Sequence, residues 1–230
     1  MKKGILIIQF LGIWCFGFSQ QTITQDIVGI NNYFSSTDFF YVNLEYKYFI
    51  PGNLKPIESK KAFMVILQNE VYNKIENLEV IKTNDISVSV DHNLKKITIL
   101  PPSIKSSSQG FSPQDLLRIE SLLKTCESNQ VQKVSSTINR IVLKKCKSTY
   151  SEIEIEYYSS TFKPTKITMH MSNEFGLETG LVSIDYLSIE KLKSDKDKFL
   201  NSARIIAKKK EGYVVNNKNL PGYKIENLWK

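Results

Sequence analysis

The two histidines are the first residues to examine for chemistry, because imidazole titrates near neutral pH and serves as acid, base or metal ligand. His92 lies in the turn predicted at Asp91-His92-Asn93, where polar side chains are expected in any case. His170 alternates with Met169 and Met171 and is predicted to point to the exposed face of a strand. The sequence contains no G-x-S-x-G elbow, P-loop or G-x-G-x-x-G motif. We therefore predict no catalytic residue, no enzymatic activity and no cofactor.

Two cysteines, Cys126 and Cys146, follow the N-terminal segment. In an oxidising compartment an isolated pair is most simply a disulfide. It would close a loop of about twenty residues and stabilise the fold by roughly 3 kcal/mol. Two separately buried thiols are the alternative. Neither histidine stands at a spacing from either cysteine that is typical of zinc ligands, so no metal site is predicted.

Two charged clusters also have the residue types for chemistry. Glu152, Glu154 and Glu156 alternate with apolar residues, and strand positions two apart lie about 7 Å from each other on one face. This spacing favours a solvated face over an acid/base pair. The basic cluster of Arg204 and Lys208–Lys210 is interpreted as a solvated turn, with contact to phosphate or anionic lipid as the alternative.

The N-terminal residues have the layout of a secretory signal peptide. Lysines at positions 2 and 3 precede an apolar run over 4–18, and small residues precede a predicted cleavage between Ser19 and Gln20. Removal of residues 1–19 lowers the net charge from +8 to +6. No other apolar run approaches the roughly 20 residues of a membrane helix. We expect a periplasmic or extracellular protein with no transmembrane segment after processing.

The positive charge comes from 28 Lys and only 3 Arg. Arginine scarcity, the export signal and the lack of a basic stripe interleaved with aromatics argue against nucleic acid as a partner. Peripheral contact with a membrane stays open.

The hydrophobic periodicity predicts helices and many short strands. Thr22 and Gln25 suit a capping box for a helix whose apolar face carries Ile27, Ile30 and Phe34. A strand follows over 40–48, Pro51-Gly52 signals a turn, and the segment to Lys61 is predicted to be a loop. The remaining predicted elements are strands at 62–67, 71–75, 86–90, 97–99, 139–145, 152–157, 167–171 and 181–189, a helix from Ser112 to near Cys126, a short helix after Ser194, and a hairpin of 205–207 with 213–215.

These elements indicate an α+β fold in one domain over residues 20–230, with an antiparallel sheet that has one apolar face. The face is either a filled core beneath the helices or a trough for an apolar ligand, and periodicity does not separate the two. The candidate ligand-binding residues on it are Val42, Leu44, Tyr46, Ile153, Ile155, Tyr157, Ile167, Met169 and Met171.

The order of helix, strand meander, helix and further strands behind a signal peptide resembles the periplasmic lipoprotein-carrier (LolA-like) group. The features that carry the resemblance are the Tyr41–Tyr48 strand, the pair Ile86–Asp91 and Lys96–Leu100, and the hairpin of Ile153–Tyr157 with Lys166–Met171. The resemblance implies a strongly curved sheet or unclosed β-barrel with two or three helices packed across its apolar face. It also implies an acyl-chain lipid as ligand.

We therefore expect an exported, non-enzymatic envelope protein that binds a lipid or other apolar ligand between sheet and helices. The alternative is a periplasmic interaction or assembly module with a fully packed sheet and an envelope protein as partner.

Overall fold

The structure is a computed structural model that describes residues 23–34, 39–67, 70–100, 123–146, 150–171, 180–192, 196–209, 212–216 and 218–228. The chain forms two compact units, each assembled from three segments. The first unit comprises Met1–Tyr33, Tyr48–Ile57 and Ser112–Ile184. The second comprises Phe34–Lys47, Glu58–Phe111 and Asp185–Lys230.

The described elements are mainly strands, which matches the alternating patterns of the sequence. Helix α1 spans residues 23–34 and helix α2 spans Lys196–Leu200, followed by a 3-10 turn at Ser202–Arg204. The strands are β1 (Phe39–Phe49), β2 (Glu58–Leu67), β3 (Glu70–Ile75), β4 (Leu78–Lys82), β5 (Ser87–Asp91), β6 (Lys96–Leu100), β7 (Cys126–Lys133), β8 (Ile138–Cys146), β9 (Tyr150–Tyr158), β10 (Pro164–Met171), β11 (Leu181–Leu192), β12 (Ile206–Lys209), β13 (Gly212–Val215) and β14 (Lys224–Asn227). The predicted α+β class is confirmed.

The second unit contains a sheet whose hydrogen-bonded neighbours follow the order β14-β6-β5-β4-β3-β2-β1-β11. The hairpins β2–β3, β3–β4, β4–β5 and β5–β6 are antiparallel, and β14 pairs parallel to β6. Val88 lies opposite Ile99 and Val90 opposite Ile97, so β-branched side chains stack across the ladder. The predicted turn before β6 is also present, because Asp91 Oδ1 accepts from the Asn93 and Leu94 amides at 2.9 Å.

Both faces of this sheet bury apolar side chains, which corrects the expectation of one apolar face. Phe39 and Phe40 are neighbours in β1 and point to opposite sides, yet they are 4% and 0% exposed. Phe40 packs edge-on against Phe34, the last residue of α1, with ring centroids 5.6 Å apart. Phe39 packs near Phe199 of α2 at 6.4 Å. At the start of β1, buried and exposed residues therefore do not alternate, because both faces of the strand are covered there.

The cover on the Phe39 face is the C-terminal segment, defined here as residues 196–228. It supplies Leu200, Ile205 and Ile206 to the buried cluster, with Phe199 and Tyr213 packed against it. The predicted hairpin is confirmed as β12–β13. The cluster on the sheet side contains Phe39, Val65, Tyr72, Ile81, Ile86, Val88, Val90, Ile97 and Ile99.

The first unit contains the strands β10-β9-β8-β7 in hydrogen-bonded order, with Leu181–Ile184 of β11 beside β10. Helix α1 confirms the predicted N-terminal helix, and its Ile23, Ile27 and Ile30 are no more than 2% exposed. In the sheet, Ile141, Ile155 and Ile167 face each other in one register row. Alternate positions of three strands thus form a continuous apolar face.

The predicted disulfide between Cys126 and Cys146 is confirmed. The two residues lie directly opposite each other on β7 and β8, with their Cα atoms 3.8 Å apart. The bridge fixes the end of β7, whose polar sequence offers little apolar surface for packing.

Several boundaries differ from the sequence predictions. The segment predicted to be a loop up to Lys61 already belongs to β2 from Glu58. Strands β4, β7 and β14 were not predicted, because they are short or mostly polar. Most of the predicted helix from Ser112, and the signal-peptide cleavage between Ser19 and Gln20, lie outside the described residues.

Candidate functional site

The predicted apolar residues of the first unit form a filled face. Ile153 lies opposite Met169 and Ile155 opposite Ile167, and all four are at most 1% exposed. Tyr157 on the same face is fully buried and stacks on Phe162, with centroids 6.1 Å apart. Burial, and then the nearby Asp26 of α1, raise the pKa of Tyr157 well above its usual value. These side chains are therefore packed together, and Tyr157 among them interacts with Asp26 of α1.

The other predicted residues, Val42, Leu44 and Tyr46, lie in the second unit. Val42 and Leu44 are fully buried on the Phe40 face of β1. Tyr46 is half-buried, and burial raises the pKa of its hydroxyl well above the ordinary value. The predicted set is thus divided between the two units.

Met171, the last predicted residue, lines a cavity of about 580 Å³ in the first unit. The cavity lies where β1 and β10 end and where β9 and β11 begin. Its apolar walls are Phe49, Ile50, Pro51, Met171 and Leu181, and its polar groups come from Asn53, Ser151 and His170, with Gly52 and Gly180 completing it. A volume of this size, mostly apolar walls and a few polar groups are typical of small-molecule sites.

The turn predicted at Pro51-Gly52 forms one wall of this cavity. The Asn53 amide donates to the Ile50 carbonyl at 3.2 Å, and Gly52 has a φ of +84°, which favours glycine. Leu54, the next residue along the loop, is 98% exposed. The Pro51-Gly52 turn therefore borders the cavity, and the loop after it carries the exposed apolar side chain of Leu54.

The opposite wall is formed by an irregularity at the end of β10. The pairing register with β9 shifts between His170 and Met171, and both residues line the cavity. The Met171 amide donates to the Gly180 carbonyl at 2.9 Å. A Cβ on Gly180 would lie 2.6 Å from the Tyr48 ring, so a larger residue here would displace that ring. The sequence predicts His170 on the exposed face of the strand and carries no signal for the register shift beside it.

The glutamate ladder, which the sequence analysis interprets as a solvated face, is a half-buried, ion-paired strand face. Arg140 on β8 contacts Glu154 at 3.1 Å and Glu156 at 2.6 Å, and Lys144 contacts Glu152 at 3.3 Å. Each carboxylate is therefore matched by a cation on the neighbouring strand. The arrangement provides polar cover for the sheet.

A second charged cluster, which the sequence did not predict, surrounds Glu79 in the second unit. Glu79 is only 7% exposed and accepts from Lys74, His92 and Arg204, each at 3.1 Å. Burial by itself raises the pKa of Glu79, but the hydrogen bonds from Lys74 and His92 and the nearby positive charges lower it to about 2.

His92 is held at both ring nitrogens. Its Nε2 lies 3.1 Å from Glu79 Oε1, and its Nδ1 lies 2.7 Å from the Tyr223 hydroxyl. Arg204 also lies over the Tyr72 ring at 5.0 Å, and burial together with the Glu79 charge raises the pKa of Tyr72 to about 12. With its ring nitrogens engaged, His92 connects the β5–β6 turn to the C-terminal segment.

Metal-binding clusters and membrane-spanning helices are both absent from the described ranges. No group of three or more His, Cys, Asp or Glu side chains there is arranged to hold a metal ion. In the same part of the chain, no helix has the length and apolar character needed to cross a membrane.

Comparison with known proteins gives structural likeness only. No protein-family profile and no curated protein matches the sequence. An uncharacterized conserved protein from Thermus thermophilus has a similar structure, with a TM-score of 0.52, 6% identity, and coverage of 90% of this chain and 99% of the other. At that identity the likeness shows a shared fold and nothing about function.

Two further solved structures are similar at lower scores. A LolA superfamily protein from Nitrosomonas europaea has a TM-score of 0.37 and 14% identity, covering 76% of this chain and 95% of its own. The MucA/MucB complex of Pseudomonas aeruginosa has a TM-score of 0.45 and 9% identity, covering 76% and 59%. A LolA superfamily protein, from the group that the sequence resembles, is among these two structures. With TM-scores below 0.5, these two likenesses do not bear on ligand or partner.

Proposed function

We propose that the protein is an exported, non-enzymatic binding protein of the periplasm that holds a lipid or other apolar ligand on a sheet of the unclosed-barrel type. The observation that carries the proposal is the cavity of about 580 Å³ at the end of β10. It has apolar walls and few polar groups, as sites for small apolar ligands do. The disulfide fits an exported protein.

The ligand site of this proposal differs in place from the one expected from the sequence. Ile153, Ile155, Ile167 and Met169 are buried against each other, whereas Met171 borders the cavity. We therefore assign the apolar ligand to the cavity and assign the other predicted residues of the first unit to the core beside it. The exposed Leu54 offers further apolar surface next to the Pro51-Gly52 wall.

The test is a titration of the purified protein with a fluorescent fatty acid. Leu181→Trp would fill the cavity, and we expect it to weaken probe binding at least about tenfold, since a filled cavity excludes the ligand. Leu187→Trp is the matched control, because Leu187 lies on the same strand and is 54% exposed. Native protein without saturable binding, or equal affinity in both variants, would contradict the proposal.

A second candidate function, a protein-interaction module, is favoured by one observation. The apolar face of the first unit is filled, with Ile153, Ile155 and Ile167 fully buried. Because a filled apolar face has no room for a ligand, the function of this unit would then lie on its polar surface. In that case the fatty acid does not bind, lipid extraction of the purified protein yields no bound lipid, and cross-linking in the envelope recovers a defined protein partner.

A further inference from the structure

The positive charge of the chain is concentrated at its C-terminal end. Residues 196–230 contain nine Lys and Arg against three Asp and Glu, a net charge of +6, while the whole chain carries +8. The remaining 195 residues are therefore close to balanced. Such an asymmetry indicates a local electrostatic role.

The C-terminal segment combines buried apolar residues with exposed lysines. Its apolar residues Leu200, Ile205 and Ile206 are at most 4% exposed and pack on the sheet of the second unit. The lysines of the segment whose side chains are described are exposed, namely Lys198, Lys208, Lys209, Lys218 and Lys224. Lys209 alternates with the buried Ile206 along β12 and points to the outer side, whereas Lys208 shares the Ile206 face and is exposed as well.

Few carboxylates neutralise these exposed lysines. Arg204 is directed inward to Glu79 at 3.1 Å, and Glu226 pairs with Lys96 at 2.6 Å. Among the described residues, no carboxylate lies within salt-bridge distance of Lys208 or Lys209. These two ammonium groups thus stay available to an external anion.

Side-chain amides hold the layer in a fixed shape. Asn216 Nδ2 donates to the Ala203 carbonyl at 3.0 Å, and Asn219 Nδ2 donates to the Arg204 carbonyl at 2.9 Å. The Asn216 amide also donates to the Ile205 carbonyl at 2.8 Å. The 3-10 turn, the β12–β13 hairpin and the turn carrying Lys218 are therefore joined, and the lysines are presented on one preformed layer.

We propose that the C-terminal segment docks on an anionic phospholipid membrane through its exposed lysines. Lysine ammonium groups act as hydrated point charges, which suits a fluid anionic surface better than the bidentate recognition of a phosphate that arginine provides. Binding of a single-stranded nucleic acid typically uses bases stacked on exposed aromatic side chains, whereas Phe199 and Tyr213 of this segment pack against the core. The attraction is electrostatic and must weaken with salt.

The test is co-sedimentation of the intact protein with vesicles of phosphatidylcholine alone or mixed with phosphatidylglycerol. We expect binding only to the anionic vesicles and its loss on raising the salt. The double variant Lys208→Glu/Lys209→Glu should lower partitioning about tenfold or more. A milder variant, Lys208→Gln/Lys209→Gln, should give a smaller loss and serves if the charge reversal impairs folding.

The matched control is Lys124→Glu/Lys133→Glu, which changes the net charge equally at two exposed lysines of the first unit. It should retain vesicle binding within about threefold, because screening limits the reach of distant charges. Three outcomes would overturn the proposal: no binding to anionic vesicles, equal binding to neutral ones, or an equal loss in the control variant.

Discussion

Glu79 is the residue whose charge is most strongly tied to the fold. It is nearly buried, yet the surrounding Lys74, His92 and Arg204 lower its pKa to about 2. A buried carboxylate is stable only when cations and hydrogen-bond donors surround it. Arg204 belongs to the C-terminal segment, so this carboxylate holds the segment onto the sheet.

Replacing Glu79 with Gln should lower the free energy of unfolding by about 2 kcal/mol at neutral pH. The reason is that the surrounding cations would no longer face a negative charge. The native pKa of about 2 is below the ordinary 4.5. The stabilisation is therefore complete above pH 4.5 and is lost as the pH falls toward 2. Urea unfolding of native and variant protein across this range measures it.

Glu190→Gln is the control for that experiment, because Glu190 is exposed. It should change stability by less than about 0.5 kcal/mol at every pH. A difference between native protein and Glu79→Gln that stayed constant from neutral pH down to strongly acidic pH would show that the charge of Glu79 is not the cause.

At the scale of elements, α1 comes very close to Phe162 within the first unit. A Cβ built on Gly29 would lie 2.5 Å from the Phe162 ring, and that ring stacks on the buried Tyr157. Gly29→Ala gains about 1 kcal/mol of helix propensity but costs about 1–3 kcal/mol by overpacking. We expect a net loss of about 1 kcal/mol in thermal or chemical unfolding.

The background variant Phe162→Leu separates these two effects. With the smaller side chain, Gly29→Ala should become neutral or stabilising, since only the helix propensity remains. Val28→Ala, at a position that is 40% exposed, controls for a change on the same helix. An equal loss in both backgrounds would exclude the contact with Phe162 as the cause.

The elements differ in how well the sequence predicts them. Strands β5 and β6 alternate strictly between buried and half-exposed residues, and their pattern was recognised. Strand β7 has the mostly polar sequence CESNQVQK and is fixed by its disulfide and its pairing to β8. Hydrophobic periodicity carries no information about either of these two contacts. Strand β14 depends on a parallel pairing with β6, a contact between distant parts of the chain.

The candidate site was predicted only at its edges. The Pro51-Gly52 turn and Met171 were recognised from local signals, and both line the cavity. The approach of Gly180 to Tyr48 and the register shift at Met171 arise from tertiary packing. Local patterns therefore predicted a turn and an apolar strand residue that border the cavity, but they did not predict the cavity, which depends on strand ends that meet in the folded chain.

At the scale of the whole molecule, the second unit depends on its C-terminal cover. Deleting residues 196–230 would remove Leu200, Ile205 and Ile206 from the core and expose Val65 and Ile81 beneath them. At about 1.5–3 kcal/mol for each large apolar side chain, the loss is comparable to the stability of a typical domain. We expect strong binding of the dye ANS and aggregation, measured by fluorescence and light scattering.

Leu228→Ala is the control for this deletion, because Leu228 lies in the same segment but is 53% exposed. It should leave both measurements unchanged. A chain shortened by residues 196–230 that stayed monomeric, bound no dye and kept the native melting temperature would disprove the role of the cover.

The division of each unit among separate segments has a consequence for biosynthesis. All segments of the first unit have been made once the ribosome passes Ile184, whereas the second unit still lacks everything from Asp185 onward. A nascent chain at that stage has an uncovered Phe39 face, and such surfaces aggregate unless a chaperone holds them. We therefore expect the first unit to be completed before the second.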